Sequence, residues 1–319
     1  MKKIKFLKMN GQGNDFILID SLEKELSFST KEIARMCNRH FGIGADGLIL
    51  VKKSEKADFL MDYYNQDGTN AEMCGNGIRC MAGFILLSNL SDKKNMYIET
   101  RAGIKKVEIR FENVVINDRG KADNSLSFNG IIKVDMGKPV FEPDKIPVRT
   151  PRNAEIFNRP EVTAPGNSHS ARNGLIIKDY ILNISGKDFN INCLSVGNPH
   201  CVIFLDDETE INEFPVSRWG SEIENHKMFP NKTNIEFIKI KNGSEIEMRV
   251  WERGVGETLA CGTGACAAAV CAIEHNKINT SRVYVYLPGG ILSIYWQQGS
   301  YPVFLEGTVE TVYSGTYII

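Results

Sequence analysis

Short runs of β-branched and aromatic residues, in which apolar and polar positions partly alternate, recur along much of the chain. Clear examples are residues 105–115, 283–287 and 291–296. Because alternation with a period of two places every second side chain on one face of a sheet, these runs predict strands. The Gly289-Gly290 pair between the last two runs predicts a β-hairpin.

Helical segments are fewer and are of two kinds. We predict helices at residues 31–39 and 218–224, and one further helix after each of Cys74 and Cys261. The last two segments are apolar around most of the helical circumference, which is typical of a buried helix rather than a surface one. The chain is therefore predicted to be of mixed α and β class.

Two Cys-Gly-x-Gly motifs mark a degenerate internal repeat. They begin at Cys74 and at Cys261, and each is followed by an apolar run. Matched positions precede them: Asn65 and Glu252 at nine residues before the cysteine, Gly47 and Asn234 at 27, and Asn14 and Asn198 at 60 and 63. Two halves of similar order predict two similar domains related by a pseudo-two-fold axis. We expect equivalent loops to face one another across a ligand-binding cleft.

Length and composition set the broad class of protein. A chain of 319 residues exceeds the usual size of a single hydrophobic core and predicts two domains. It is 42% hydrophobic and 24% charged with a net charge of −1, so it has no excess of positive charge for nucleic acid or anionic membranes. Residues 117–124 and the Pro-, Asn- and Ser-rich residues 151–173 are predicted surface loops.

The sequence also predicts a location. No export signal is evident, and the most apolar stretches, 80–87 and 265–273, are shorter than the roughly 20 residues that a membrane span requires. We therefore expect a cytoplasmic protein without membrane partners. Its eight cysteines should be reduced there, so each is either a packing residue or a chemical group.

The two Cys-Gly-x-Gly turns have the chemistry that proton transfer needs. A helix N-terminus exposes backbone N–H groups and carries a positive dipole end, which predicts that Cys74 and Cys261 are shifted toward thiolate. The glycines let a ligand carboxylate approach the same N–H groups. Inversion at a carbon requires one group to remove a proton and a second to deliver it on the opposite face, and a duplicated cysteine supplies both.

Four other interpretations of the cysteines fit the sequence less well. A single Cys-Gly-x-Gly is usually a tight turn with a structural thiol, but here the motif is duplicated. Zinc is not expected, because the cysteines after each turn spread around a predicted helix instead of converging on one point, and a phosphate loop would need a Lys-Ser/Thr that both turns lack. A Cys/His hydrolase could combine either cysteine with His200 and Asn198, but it would leave the second cysteine unexplained.

Several motifs resemble those of the diaminopimelate epimerase family, in family order and across nearly the whole chain. They are Gly11-Gln12-Gly13-Asn14-Asp15-Phe16, Cys74-Gly75-Asn76-Gly77-Ile78-Arg79-Cys80, Gly197-Asn198-Pro199-His200-Cys201, and Glu252-Arg253-Gly254-Val255-Gly256-Glu257-Thr258 followed by Cys261-Gly262-Thr263-Gly264-Ala265-Cys266. Members of this family are cofactor-independent enzymes that interconvert LL- and meso-diaminopimelate in lysine and cell-wall synthesis. The resemblance implies an isomerase that binds a small amino acid and holds no metal.

The resemblance also implies a fold and a division of the chain. The fold is two pseudo-symmetric α/β (α+β) domains, each a mostly antiparallel sheet rolled around a central helix. We expect an N-terminal domain of residues 1–127 with 306–319, and a C-terminal domain of residues 128–305 with a loop insertion at 151–173. A homodimer is one expected assembly.

Roles carry over by position. Cys74 and Cys261 match the two acid/base residues, and His200 and Glu252 match supporting catalytic residues. The turns Gly75-Asn76 and Gly262-Thr263 match backbone groups that hold the reacting carboxylate and amine. Further matches to substrate-pocket residues are Asn14, Asn65, Asn198, Asn234, Glu252 and Arg253.

One position departs from the pattern and leaves the substrate open. Gly47 stands where some family members have a glutamine that touches substrate. A racemase of another amino acid, such as histidine or lanthionine, is therefore a rival interpretation within the same class. A non-catalytic amino-acid-binding protein is the rival from another class, and the retained pair of cysteines argues against it.

Overall fold

The computed structural model of the chain describes residues 3–110, 130–149 and 176–319. The chain divides into two compact units, one of Met1–Asp135 with Glu306–Ile319 and the other of Met136–Leu305. The predicted loops at 117–124 and 151–173 lie outside the described residues. Residues 130–135 lie in the first unit because they pair with its sheet, as in Val107 opposite Val134. The predicted domain boundary at residue 127 stays a prediction.

The first unit is built on one sheet and two helices. Its strands are β1 (Lys3–Gly11), β2 (Asn14–Asp20), β3 (Gly47–Lys52), β4 (Phe59–Asn65), β5 (Asn95–Thr100), β6 (Gly103–Arg110), most of β7 (Ile131–Gly137), the end of β16 (Val303–Thr308) and β17 (Glu310–Ile318). Its helices are α1 (Thr30–Cys37) and α2 (Gly75–Leu87). Strand β1 pairs antiparallel with β17 and β2, and the order continues through β3, β4, β5 and β6.

The second unit has the same kind of architecture. Its strands are β8 (Tyr180–Ile184), β9 (Lys187–Ser195), β10 (Pro199–Phe204), β11 (Asn234–Asn242), β12 (Glu245–Glu252), β13 (Gly256–Thr258), β14 (Arg282–Leu287) and β15 (Gly290–Tyr295). Its helices are α3 (Val216–Glu224) and α4 (Gly262–Glu274). The pairing order is β8, β9, β10, β11, β12, β14 and β15, and the short β13 also pairs with β12.

The duplication predicted from the motifs is confirmed at the level of strand pairing. In the first unit, β1 to β6 pair in the order antiparallel, parallel, antiparallel, parallel, antiparallel. Strands β9, β10, β11, β12, β14 and β15 repeat this alternation without change. The matched residues also fall at the same places: Gly47 and Asn234 begin β3 and β11, and Asn65 and Glu252 end β4 and β12.

The two helices that follow the cysteines are central, as predicted. Helix α2 packs against β1, β2, β3 and β6, and α4 packs against β9 to β12, β14 and β15. Residues 265–273 of α4 are buried on every face, and five of the first eight residues of that run are alanine, so the surrounding strands can approach closely. Each sheet is therefore wrapped around one apolar helix.

Helices α1 and α3 are amphipathic and lie on the outer face of each sheet. Helix α1 begins one residue earlier than predicted because Ser29 and Glu32 form a capping box, and it ends at Cys37 instead of residue 39. Helix α3 begins at Val216, directly after Pro215, instead of at residue 218. Their apolar sides contribute Ile33 and Met36 to one core and Trp219 and Ile223 to the other.

The strand predictions are also confirmed where the structure describes the chain. Strands β14 and β15 cover the predicted runs at 283–287 and 291–296, and Gly289-Gly290 lies in the turn between them. Strand β6 covers the described part of the run at 105–115. Of the four helices in the described ranges, none combines the length and apolar character of a membrane span.

Candidate active site

Cys74 is the N-cap residue of α2. Its backbone is extended, with φ −134° and ψ 124°, and its Sγ accepts a hydrogen bond from the backbone N–H of Gly77 at 3.4 Å. A Cβ at Gly77 would lie 3.1 Å from the Met61 Cε and 3.3 Å from the Cys74 Cβ, so this close turn leaves little room for a side chain there. The helix therefore directs a backbone donor at the sulfur, as expected for a helix N-terminus.

Asn14, at the start of β2, lies beside this turn. The Cys74 Sγ and the Asn76 Nδ2 each lie 3.5 Å from its Oδ1. The Asn76 Oδ1 accepts a hydrogen bond from the Nη2 of Arg79 at 3.0 Å, and Arg79 also bonds the carbonyl of Gly75 at 3.1 Å. Arg79 is fully buried. This guanidinium fixes the turn from within the helix, and four predicted site residues of the first unit, Asn14, Cys74, Gly75 and Asn76, are brought together.

An acidic residue outside the predicted set holds Asn14 in place. The Asp46 Oδ2 accepts hydrogen bonds from the Asn14 Nδ2 at 2.8 Å and from the Asp15 backbone N–H at 3.1 Å. Asp15 in turn pairs with Lys8 at 2.8 Å and with Arg39 at 2.8 Å. Burial alone would raise the pKa of Asp15, but the hydrogen bonds from Arg39 and Lys8 outweigh it and lower the pKa to about 2. Asp15 is thus ionised at neutral pH.

Asn65 lies at the end of β4 and is only partly buried. Its Nδ2 donates to the Thr69 Oγ1 at 3.1 Å. Asn65 faces Gly47 directly across the β3–β4 ladder. A Cβ at Gly47 would lie 2.6 Å from the Cε2 of Tyr63 and 2.6 Å from the carbonyl oxygen of Tyr64. In this chain Tyr63 occupies the space that a side chain at position 47 would need. This packing accounts for the presence of glycine where some family members have a glutamine.

The Gly47→Ala variant should therefore be destabilised by about 1–3 kcal/mol, because the Tyr64 carbonyl belongs to a paired strand and cannot move aside. Denaturant unfolding monitored by circular dichroism measures the loss. Gly243→Ala is the matched control, since a Cβ there would meet nothing within 4 Å. That variant should change the free energy of unfolding by less than about 0.5 kcal/mol. Equal stability of the two variants would contradict the packing described for Tyr63.

Cys261 has the same place in the second unit that Cys74 has in the first. It is the N-cap of α4, and its Sγ accepts a hydrogen bond from the Gly264 N–H at 3.4 Å and lies 3.4 Å from the Thr263 Oγ1. A Cβ at Gly264 would lie 2.7 Å from the Oε1 of Glu236, so any side chain there would require the Glu236 carboxylate to shift.

The prediction that the helix N-terminus shifts the thiols toward thiolate is wrong for Cys261. Burial, followed by the negative charges of Glu252 and Glu236, raises the pKa of this thiol well above its ordinary value. The hydrogen bonds from Thr263 and Gly264 act in the opposite direction but are the smaller effect. Cys261 is therefore a thiol at neutral pH, ready to donate a proton.

Glu252 and Arg253 follow one another but face different surroundings. Burial raises the pKa of Glu252, whose carboxylate lies within hydrogen-bond reach of the Cys261 thiol and accepts a hydrogen bond from the Thr258 hydroxyl at 2.5 Å. The Arg253 side chain is exposed, and it forms no ion pair within the part of the chain that the structure describes. Glu252 thus interacts with the Cys261 thiol, whereas the exposed Arg253 guanidinium can bind a ligand anion.

Both ends of the Asn234 side-chain amide form hydrogen bonds. Its Oδ1 accepts from the Arg253 backbone N–H at 3.0 Å, and its Nδ2 donates to the Pro199 carbonyl at 2.8 Å. Glu224 anchors the same turn by accepting from the Gly254 N–H at 2.7 Å. The geometry gives Asn234 a positioning role for Arg253, and its direct contact with substrate stays a prediction.

His200 is fully buried at the start of β10. Its Nδ1 lies 2.7 Å from the Glu236 Oε1, and its Nε2 lies 2.8 Å from the Asn198 Oδ1. The Asn198 Nδ2 donates to the Thr263 Oγ1 at 3.3 Å, next to Cys261. His200 is therefore linked to the second-unit cysteine through Asn198 and Thr263.

The remaining cysteines have the character expected of packing residues. Cys37, Cys80, Cys193, Cys201, Cys266 and Cys271 are all buried. Burial raises the pKa of Cys37 to about 12 and that of Cys201 and Cys271 well above the ordinary value. Within the described residues, no three His, Cys, Asp or Glu side chains are grouped to hold a metal ion.

Three residues that contact the residues of the candidate site were not among the site residues predicted from the sequence. Asp46, Arg79 and Glu236 are each polar residues whose partners come from distant parts of the chain. Arg79 and Glu236 could have been found from the sequence, because each is a charged residue within an otherwise apolar helix or strand. Such a residue has to be paired when it is buried. Asp46 lies in a glycine-rich loop and could not have been found in this way.

The sequence of the chain is similar to those of known diaminopimelate epimerases. The match to the family described as diaminopimelate epimerase covers residues 6–125 and 192–312. The diaminopimelate epimerase of Halothermothrix orenii is 44% identical over 323 residues, with 99% of each chain covered, and that of Leptospira biflexa is 37% identical over 313 residues, with 98% of each covered.

A solved structure supports the fold independently. The hydroxyproline epimerase from Agrobacterium vitis, with bound trans-4-hydroxy-L-proline, has a TM-score of 0.64 to this chain. It covers 98% of this chain and 92% of its own, at 12% sequence identity, so it bears on the fold alone. Because the matches at 37–44% identity extend over nearly the full length, the chain belongs to the diaminopimelate epimerase family.

Proposed function

We infer that this chain is a diaminopimelate epimerase, an isomerase that interconverts LL- and meso-diaminopimelate. The observation that carries this inference is the duplicated cysteine at the N-cap of a buried helix, in a chain up to 44% identical to enzymes of that name. A structural thiol has no reason to recur at the same place in both repeats. A reaction that inverts one carbon requires two such groups.

In the proposed mechanism, the thiolate of Cys74 removes the α-proton of one isomer while the thiol of Cys261 delivers a proton to the opposite face. The reverse reaction exchanges these roles. The α-carboxylate binds the backbone N–H groups of the turns at Gly75-Asn76 and Gly262-Thr263, where negative charge develops as the proton leaves. No cofactor takes part in any step.

Glu252 supports the reverse direction. When Cys261 acts as the base, its thiol proton must first go elsewhere, and Glu252 lies within hydrogen-bond reach with a pKa raised by burial. A carboxylate with a raised pKa is a better acceptor for that proton. The ammonium group of a bound substrate would favour the resulting Cys261 thiolate by its positive charge.

Substrate recognition is assigned to the polar residues around the two turns. Asn14 and Asn198 lie next to the cysteine turns and suit the reacting amino-acid end. Arg253, exposed and without an ion pair among the described residues, suits the distal carboxylate of diaminopimelate. Asn65 is the further candidate contact on the first unit, and Asn234 acts by fixing Arg253.

The test is incorporation of solvent deuterium. The purified chain is incubated in D₂O with LL-diaminopimelate, L-histidine or lanthionine in separate reactions, and the Cα deuterium of each is followed by mass spectrometry. We expect rapid labelling of diaminopimelate alone, together with formation of the meso isomer. Labelling of L-histidine at a comparable rate would favour the rival racemase, and no labelling of any amino acid would favour a binding protein.

Further expectations about location and assembly accompany this function. We propose that the enzyme acts in the cytoplasm and that it binds neither nucleic acid nor membranes. A homodimer is the assembly that we propose, and sedimentation velocity of the purified chain measures it.

A further inference from the structure

Glu236 is a charged residue in the core of the second unit. It lies on β11, in a run of five buried residues, and none of its surface is exposed. Its Oε1 is 2.7 Å from the His200 Nδ1, and its Oε2 has no hydrogen-bond partner among the described residues. Burying a carboxylate costs folding free energy unless the carboxylate is paired, so the presence of Glu236 in this core suggests a specific role.

The partners of Glu236 form a continuous series of contacts that ends at Cys261. His200 lies 2.8 Å from the Asn198 Oδ1, Asn198 donates to Thr263 at 3.3 Å, and the Thr263 Oγ1 lies 3.4 Å from the Cys261 Sγ. The carboxylate also approaches the start of α4 so closely that a Cβ at Gly264 would lie 2.7 Å from it. The glycine of the second turn thus makes room for Glu236.

The direction of each hydrogen bond follows from the chemistry of the two ends. An ionised carboxylate can only accept, so the His200 Nδ1 carries a proton. The Asn198 Oδ1 lies 2.8 Å from the His200 Nε2, and a proton on this nitrogen as well would make His200 an imidazolium, which is the state that the proposal assigns and the NMR measurement tests. Asn198 then presents its Nδ2 to Thr263, and the Thr263 hydroxyl is left with its own proton to donate to Cys261.

We propose that Glu236 is a positioning residue that holds His200 as an imidazolium and thereby directs a hydrogen-bond relay at the sulfur of Cys261. The relay supplies a donor to the Cys261 thiolate that forms each time this thiol has delivered its proton. This inference rests on the proposed function for its catalytic consequence, but the charge state of His200 can be measured without any activity.

Glu236→Gln removes the charge while keeping the size of the side chain. Without the carboxylate, a buried imidazolium has no counter-charge, so the ring becomes neutral, and because either end of the new amide can face the His200 Nδ1, the relay is no longer held in one direction. The thiolate then loses a fixed donor. A hydrogen bond to a charged group is worth enough that kcat should fall about 10- to 100-fold, whereas KM should change little because the substrate contacts remain.

The first measurement is the protonation of His200 by NMR of protein labelled with ¹⁵N-histidine, with its signals assigned from a His200→Gln variant. In the wild-type chain at neutral pH, both ring nitrogens should carry protons, and in Glu236→Gln one should not. A wild-type His200 with a bare ring nitrogen would overturn the proposal. This outcome is readable even if the Glu236 variant does not fold.

The second measurement is a double-mutant cycle with Thr263→Val, which removes the last hydroxyl of the relay. If Glu236 acts through Thr263, the double variant should have about the same kcat as the slower single variant. If Glu236 only stabilises the core, Glu236→Gln should leave the kcat of the folded enzyme unchanged, and if Glu236 acts independently of Thr263 the two losses of kcat should multiply; either outcome would contradict the proposal. A wild-type chain that does not epimerise diaminopimelate would contradict the proposed function, while the His200 spectrum would still decide the inference.

Discussion

The Cys74→Ala and Cys261→Ala variants should each lose epimerisation of diaminopimelate, with kcat reduced about 10²- to 10⁴-fold or more. Each face of the carbanion has a single proposed acid or base, and alanine can neither accept nor donate a proton. A variant that keeps one cysteine should still exchange the α-proton on that cysteine's own face. Chiral chromatography measures the inversion, and mass spectrometry measures the exchange.

Cys80→Ala on α2 and Cys271→Ala on α4 are the matched controls, because both thiols are buried on the same two helices. They should cost on the order of 1 kcal/mol in unfolding free energy and leave kcat nearly unchanged. If either N-cap variant retained more than about a tenth of the wild-type kcat, a loss below roughly 1.4 kcal/mol, the two-thiol mechanism would be refuted.

LL-Diaminopimelate should exceed L-lysine, L-glutamate and L-histidine in kcat/KM by several orders of magnitude. An amino acid that lacks the distal ammonium, the distal carboxylate or both leaves the groups that we propose to bind them without partners. Selectivity from unpaired polar groups can reach about 10⁴-fold, whereas a missing methylene gives only about 10- to 200-fold. Steady-state rates with each amino acid, taken below saturation, measure the ratio.

Arg253→Ala should erase most of that preference, because the exposed guanidinium is the proposed partner of the distal carboxylate. Arg218→Ala is the matched control, since Arg218 is also an exposed arginine, and its ion pair is with Glu222 on its own helix, α3. The control should leave the selectivity as it is. Comparable kcat/KM values for L-histidine and LL-diaminopimelate in the wild type would contradict the substrate assignment but leave the cysteine chemistry intact.

The duplicated architecture could be predicted because its signals are local and repeated. The spacing from Asn65 to Cys74 equals that from Glu252 to Cys261, and both pairs join the end of a strand to the start of a central helix. The helices were recognisable because they are apolar on every side. The exact ends of the helices were harder to predict. The start of α1, for example, depends on the capping box of Ser29, which the hydrophobic pattern does not show.

The electrostatics of the site could not be predicted from the same pattern. The helix dipole and the Gly264 N–H do favour thiolate at Cys261, but burial and two carboxylates outweigh them. Those carboxylates, Glu252 and Glu236, come from different strands, and their distance from the sulfur is a property of the folded chain. A motif identifies the donor at a helix start, whereas the balance of charges around it requires the tertiary contacts.

The direct test of two-thiol proton transfer is the position of deuterium in the first turnovers. LL-Diaminopimelate is incubated with the wild-type chain in D₂O, and the reaction is stopped while only a small fraction has converted. The account predicts deuterium at the inverted Cα of the meso product and protium in the remaining LL substrate, because one thiol keeps the removed proton while the other delivers a solvent deuteron. Meso product that retains protium at that carbon, or LL substrate labelled as fast as product forms, would mean that a single group handles the proton and would contradict it.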